Sequence, residues 1–565
     1  MGSDALRRSR RVLAPLAAVL AALLVLAGCG GGGSDLPDGV TQSGDASTAA
    51  AADGGAGGGS AGRLAFTRLG INTPGFGPWN QSTGNDAIVN SLLFSNLVKV
   101  RSDERTLAPD LAESWEASSD QRTFTFRLRD DVSWSDGTPF TARDVVFTAT
   151  QAAQFGPEAY VGYQPTQWRD IEGGAEIEGT SRPLRGIRAL DEHTVEIRLA
   201  KPNAEYVRNL TDAVYSIMPE HLLADATAAD VRRTAFATSR PVGTGPYTLT
   251  RIAPNQYYEF AANDGYFGGA PKIGTLFFKL DVKPESAVAQ LESGELQLVI
   301  NASPNDESRL TRVDGLRNEY VVSPAVQMLQ FRTDHPQARD ARVRQAIYSA
   351  IDRRAMLRSL FGDHGEIRWV LPGFDQEDPA LDRYEHDPQK ARALLAEAGF
   401  DGDAPFKIAY ATDVDPLWRQ MTPVIQKNLQ DVGINAVLEP LDAAKWSAAN
   451  VDRNPQTPVT LNSGGAMGLS PDRSSVYYNC RAPLSSFYAN CDLDALYVQA
   501  RGEADPERRA QLYARAAQIL NRDVPQAALW QTANFHAYSD KLGGTFAIFP
   551  NDRDSAFEIA GWTLG

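Results

Sequence analysis

A chain of 565 residues, 43% of them hydrophobic, with 33 prolines, is longer than one hydrophobic core serves, so two or more lobes are expected. Its formal charge of −15 speaks against nucleic acid as a partner, because phosphate binding needs a basic surface. The first 28 residues hold four arginines and one aspartate, so the remainder is three units more acidic still.

Arg7, Arg8, Arg10 and Arg11 precede an apolar run from Val12 to Leu26, the order of an export signal. That run is too short and too one-sided for a comfortable membrane span. Leu26-Ala27-Gly28-Cys29 resembles the bacterial lipobox. The resemblance implies a signal peptide over 1–28, a diacylglycerol on Cys29 and a mature chain that begins there. The alternative is an ordinary secreted protein with a chance cysteine. Over 29–61 the chain is Gly, Ser, Ala and Asp with almost nothing bulky, so a flexible, disordered tether is expected.

The folded part opens with "RLAFTR", a short strand, then a Pro/Gly loop and a helix over about 84–96. In "RTFTFRLR", Phe124, Phe126 and Leu128 alternate with polar residues, the period of a half-buried strand. Thr141-x-x-Asp144 reads as a capping box opening the helix of "VVFTAT". Asp130-Asp131 reads as a solvated turn. The glycines of "GTGPY", from Gly243, permit tight backbone turns.

Further on, "ARVRQAIYSAID" puts Val343, Ala346, Ile347, Ala350 and Ile351 on one helical stripe and Arg342, Arg344 and Gln345 outside it. In "HDPQKARALLAEAGF", Asp387 suits the N-cap, Pro388 the first helical position and Gly399 the residue after the last turn. Cys480 and Cys491 read as a structural disulfide closing a short loop in an exported chain. A two-thiolate metal site would need His or acidic partners, and the chain holds only six His, scattered without metal spacing. No H-E-x-x-H or Walker A pattern occurs. The residues call for no enzyme, no resident metal and no cofactor, and an exported hydrolase remains the minor alternative.

The stretch from Pro109 to Val145 carries P-x-L-A-x-S-W, then T-F-x-L-R-x-x-V-x-W-x-D-G-x-P-x-T-A-x-D-V. It resembles the dipeptide- and oligopeptide-binding proteins of ATP-driven importers, the peptide/nickel class of extracellular solute-binding proteins. "GTGPYTLT", "NDGYFGGAPKIGTLFF", "SAVAQLESGELQLV", the two helical motifs above and "DPERRAQLYARAAQILNRDVPQAALW" follow in the family's order, from about 63 to 565. The resemblance implies an α/β fold like the periplasmic binding proteins, a venus flytrap of two lobes with an additional inserted domain. The expected parts are domain I at 62–98, 242–312 and 535–565, domain II at 99–241, and domain III at 313–534. The hinge is expected to be two crossing segments, one near "GTGPY" and one near Asn534. A membrane-tethered monomer is implied, lipid-anchored on the outer face of the bacterial cell membrane. Its partners would be a peptide or peptide-like solute and the permease and ATPase subunits of an ABC importer.

The resemblance places solute contacts at Trp79, Asn80, Ser82, Thr83 and Asn85 before the first helix. It places others at Tyr410 and Trp446, and at Asn462, Gly464, Gly465 and Met467 in the loop beyond; Arg419 lies close by as a charge partner supplied from elsewhere. In dipeptide-binding relatives an acid meets the free amine and an arginine the carboxylate. Those positions fall near Met467 and Thr412 here, and neither residue supplies the charge. A buried ammonium without a counter-charge costs several kcal/mol. A less zwitterionic solute is therefore expected: a blocked or longer peptide, or alternatively a glycoconjugate, a lipid-like molecule or a chelated metal.

Overall fold

Strands that are buried almost continuously at the centre, and alternate only toward the Tyr247–Ala253 end, build one mixed sheet of eleven strands. The computed structural model describes residues 62–69, 75–81, 84–101, 106–161, 164–412, 415–451, 456–464, 470–478, 480, 488–547 and 558–565. The export segment with Cys29, the expected tether, Ser82, Thr83, Gly465 and Met467 lie outside the described residues.

The sheet runs Ala436–Leu441, Phe406–Ala411, Val459–Gly464, Leu316–Phe331, Gln526–Ser539, Leu298–Ala302, Arg63–Arg68, Thr275–Lys279, Tyr257–Ala262 and Tyr247–Ala253, with Gly365–Ile367 also paired to Gln526–Ser539. At one end Arg63–Arg68 lies parallel to both Thr275–Lys279 and Leu298–Ala302. At the other, Phe406–Ala411 lies parallel to Ala436–Leu441 and Val459–Gly464. The long antiparallel strands Leu316–Phe331 and Gln526–Ser539 join the two ends.

Each end has its own core on both faces, which makes two α/β lobes. In the first, Leu64, Phe66 and Ile300 pack with Ile88 and Leu92 of helix Gly84–Leu93. On the opposite face Ala65 and Val299 meet Ala287 and Leu291 of helix Pro284–Glu292. In the second lobe Leu329, Phe331 and Ile408 pack with Ile347 and Ile425. Met328 and Ala528 on the reverse face meet Leu496 and Ala516 of helices Cys491–Gly502 and Pro506–Asp523. Burying each Leu, Ile, Val, Phe or Met among them contributes about 2 kcal/mol, which is why both faces must be covered. A separate four-stranded sheet, Ala112–Ala117, Thr123–Leu128, Thr194–Arg198 and Ile187–Asp191, forms the insertion. Its Phe124, Phe126 and Leu128 are buried in a core of their own, under helix Ala142–Gln154.

The local chemistry read from the sequence is present. Thr141 and Asp144 make a reciprocal capping box, and Asp387 accepts from the backbone N–H groups of Gln389 and Lys390. Cys480 and Cys491 form a disulfide with Cα atoms 4.8 Å apart.

Three readings change. The first helix stops at Leu93, because Asn96 turns aside: its side chain donates to the carbonyls of Leu210 (3.0 Å) and Asp212 (2.8 Å). Arg344 is not outside its helix but 3% exposed. And "GTGPY" is no crossing between the lobes. A Cβ at Gly243 would stand 1.8 Å from the Leu93 carbonyl oxygen, so the glycines there serve a close approach to the first helix. The crossing the sequence did not disclose is the strand Leu316–Phe331.

Candidate functional site

Strand direction locates the site. In the first lobe the parallel strands end at Arg68, Lys279 and Ala302; in the second they end at Ala411, Leu441 and Gly464. Ala302 lies opposite Phe535, and Leu298 opposite Tyr538, so the first lobe's carboxyl ends point toward the middle of strand Gln526–Ser539. Gly464 lies opposite Val326 and Val459 opposite Phe331, so the second lobe's carboxyl ends point toward the middle of strand Leu316–Phe331. Both sets therefore converge on the same stretch of the crossing pair. Open α/β sheets bind their ligands in the crevice outside such carboxyl ends.

The second-lobe residues singled out in the sequence gather on this edge. Tyr410 is the half-buried penultimate residue of Phe406–Ala411. Thr412 follows that strand, its N–H and hydroxyl both donating to the Leu441 carbonyl. Arg419, exposed near the start of helix Pro416–Asp431, donates to the Thr412 carbonyl. Trp446, half-buried in helix Ala443–Val451, donates from its indole N–H to the Leu461 carbonyl at 2.9 Å. Its ring leans on that of Trp418 with centroids 5.3 Å apart.

A chain of amides that the sequence reading missed connects these residues. Asn462 Nδ2 donates to Gln330 Oε1 at 3.1 Å, and Gln526 Nε2 donates to the same oxygen at 3.3 Å. Asn450 Oδ1 accepts from Gln330 at 3.4 Å and from the Thr460 hydroxyl at 2.7 Å, while Asn450 Nδ2 donates to the Trp446 carbonyl. Nearby, the buried Trp418 indole donates to Gln327 Oε1 at 2.9 Å, and Gln327 donates to Asp415 at 3.2 Å. Such networks fix side chains that would otherwise sample several rotamers. The one sequence signal for them is Asp415-Pro416, the N-cap and first position of the helix that carries Arg419.

On the first lobe the outcome is uneven. Asn85 is buried and exchanges bonds with Arg68, accepting from its guanidinium at 3.2 Å and donating to its carbonyl at 3.4 Å. Asn80 is half-buried and donates to the Phe76 carbonyl. Trp79 is 2% exposed, edge-on to Phe236. It sits in the first lobe's core with Phe76 and Phe94, and its ring has no face to offer a solute here. On the crossing strand, His536 is 2% exposed and its Nδ1 accepts from the Asn301 N–H at 3.4 Å. Burial, with the Arg68 charge nearby, pulls its pKa down to about 3. Among the described residues, no three His, Cys, Asp or Glu side chains come together as a metal site.

Residues 106–484 match the family described as bacterial extracellular solute-binding proteins, family 5. The chain belongs to that family. This solute-binding protein is 30% identical over 469 residues to a putative ABC transporter peptide-binding protein of Brucella ovis, covering 80% of this chain and 83% of the relative. It is 25% identical over 498 residues to the dipeptide-binding protein of Escherichia coli, covering 83% and 89%. Solved structures with the same fold include the oligopeptide-binding protein AppA of Bacillus subtilis in complex with a nonapeptide (TM-score 0.71, 21% identity, 89% of this chain and 99% of that one). NikZ of Campylobacter jejuni in complex with Ni(L-His) is another (TM-score 0.70, 22% identity, 88% and 99%). As a member of this family the protein is a binding protein and not an enzyme.

Proposed function

We propose that this chain is the substrate-binding protein of an ABC importer, capturing a peptide or peptide-like solute between its lobes and handing it to the permease. The convergence of two sets of strand carboxyl ends on the crossing strands carries the reading. It is supported by the peptide-binding names of the most similar relatives and by the edge that holds Tyr410, Trp446, Asn462 and Arg419. Aromatic faces bordered by amides suit an apolar body with hydrogen-bonding edges. Asn80, Ser82, Thr83, Gly464, Gly465 and Met467 complete the proposed contacts; Trp79 and Asn85, each 2% exposed, support the first-lobe wall from behind.

Thr412 offers no positive charge to a ligand carboxylate and Met467 no acid to its amine, which favours a longer or blocked peptide over a free dipeptide; an ordinary oligopeptide would take Arg419, bonded to the Thr412 carbonyl, as its charge partner. The same observation keeps a second reading in play, a non-peptide solute such as a glycoconjugate or a chelated metal.

Native mass spectrometry of protein purified without refolding tests this. A stoichiometric adduct whose fragments give an oligopeptide or blocked-peptide ladder is the expected result. A sugar or metal-chelate adduct would favour the second reading. A free dipeptide would show that the charge-poor reading of Met467 and Thr412 is wrong, and turnover of the adduct would point to a hydrolase.

A further inference from the structure

The segment "KPNAEY", Lys201 to Tyr206, is a tongue of the insertion that reaches the second lobe. Ala204 donates its backbone N–H to the Arg501 carbonyl at 2.7 Å. That carbonyl is in the last turn of helix Cys491–Gly502, where acceptors have no partner within the helix. Beside it Glu205 Oε1 lies 3.0 Å from Arg509 Nε, with the two side chains only 12% and 19% exposed. Arg509 also donates to the Glu503 carbonyl at 2.9 Å, bracing the turn between the two second-lobe helices. Arg208 stands 3.9 Å from the other Glu205 oxygen. A second charged group adjoins the first: Arg501 pairs with Asp472 at 2.7 Å and donates to Ser475, and the charges acting on Asp170 of the insertion are Arg501, Asp472 and Lys201.

The insertion is bound more deeply to the first lobe. Gln81 donates to Asp212 at 3.0 Å, and Asn96 ties down Leu210 and Asp212. Phe155, Met218 and Phe236 of the insertion are part of the first lobe's core. A swing about the crossing strands therefore carries the insertion with the first lobe, and the tongue is where it meets the second. We propose that this contact is a latch between the lobes, with Glu205–Arg509 as its main polar bond, so that it opposes opening even before a solute arrives. The inference rests on the two-lobed hinge and not on the identity of the solute.

The test uses the full chain without solute. Fluorophores on Leu190→Cys in the insertion and Val498→Cys in the second lobe, 48% and 59% exposed, report lobe separation in a Cys29→Ser background. Glu205→Arg and Arg509→Glu should each raise the open-to-closed ratio about tenfold, because each leaves a partly buried charge facing a like charge. The double exchange, Glu205→Arg with Arg509→Glu, should bring the distribution back most of the way to wild type, short of it because Arg208 then faces a like charge. If either single variant fails to fold by circular dichroism, Arg509→Gln takes its place. Identical distributions for wild type, singles and double would overturn the latch. Because no solute is present, that outcome would leave the solute-binding reading standing, and the mass-spectrometric test fails or succeeds independently.

Discussion

His536 shows what one buried ring does to acid stability. Its folded-state pKa of about 3 lies below the ordinary value of 6.5, so the unfolded chain takes up the proton first. The stability gained from keeping the ring neutral is complete above about pH 6.5 and declines as pH falls toward 3, by on the order of 4 kcal/mol. His536→Asn keeps an acceptor for the Asn301 N–H and removes the titration. Its melting temperature should fall less steeply than wild type between pH 6.5 and 4. Superimposable profiles would assign the acid loss to carboxylates instead. Nothing in "TANFHAYS" announces this burial, since the partners, Asn301 and Arg68, come from strands more than 200 residues away in the sequence.

At the scale of elements, the sequence was a good guide wherever the cause is local. Thr141, Asp387 and Gly399 fixed their helix ends because a cap needs only its own turn, and Gly399 takes the left-handed φ of 61° expected of it. Strand Leu316–Phe331 escaped notice because "LRNEYVVSPAVQMLQF" breaks its alternation at Ser323-Pro324, where the pairing shifts register. Arg344 was misplaced for a related reason. Periodicity put it on the wet face, whereas its guanidinium donates to the carbonyls of Ala338 (2.7 Å), Arg339 (2.8 Å), Val524 (3.0 Å) and Asp523, welding helix Ala341–Ala350 to the end of helix Pro506–Asp523. Arg344→Met should cost about 3 kcal/mol, because several buried acceptors lose their donor at once. Thermal denaturation reads this as earlier unfolding of the second lobe, and an unchanged melt would show that those carbonyls do not depend on the Arg344 guanidinium. The site was legible in the same divided way: Tyr410, Trp446 and Asn462 came from resemblance, whereas the amides of Gln330, Asn450 and Gln526 are joined only by tertiary contact.

For the whole molecule, the proposed route of the solute depends on where the protein is held. No described helix is long and apolar enough to cross a membrane. The proposed point of attachment is Cys29, on the lipobox-like Leu26-Ala27-Gly28-Cys29. Each buried acyl CH₂ contributes about 0.8 kcal/mol, and two or three chains together hold a protein firmly on a bilayer. Metabolic labelling with a fatty-acid analogue should mark the wild type and leave Cys29→Ser unmarked and released to the medium. Equal labelling of both would place the anchor elsewhere or remove it.

The register shift between Val322 and Val326 has a mechanical meaning. There the Gln531 side chain donates to the Ser323 carbonyl at 2.8 Å, so a side-chain bond stands in where the ladder is irregular. Two strands bonded edge to edge make a ribbon, compliant when flexed out of its plane and stiff within it. A pair of separate, unpaired linkers would let the lobes twist and slide in several directions. The ribbon leaves them chiefly one arc to travel. Opening then becomes a single coordinate, and in the proposed importer a transporter would need to sense only how far along it the protein has moved to tell a loaded one from an empty one.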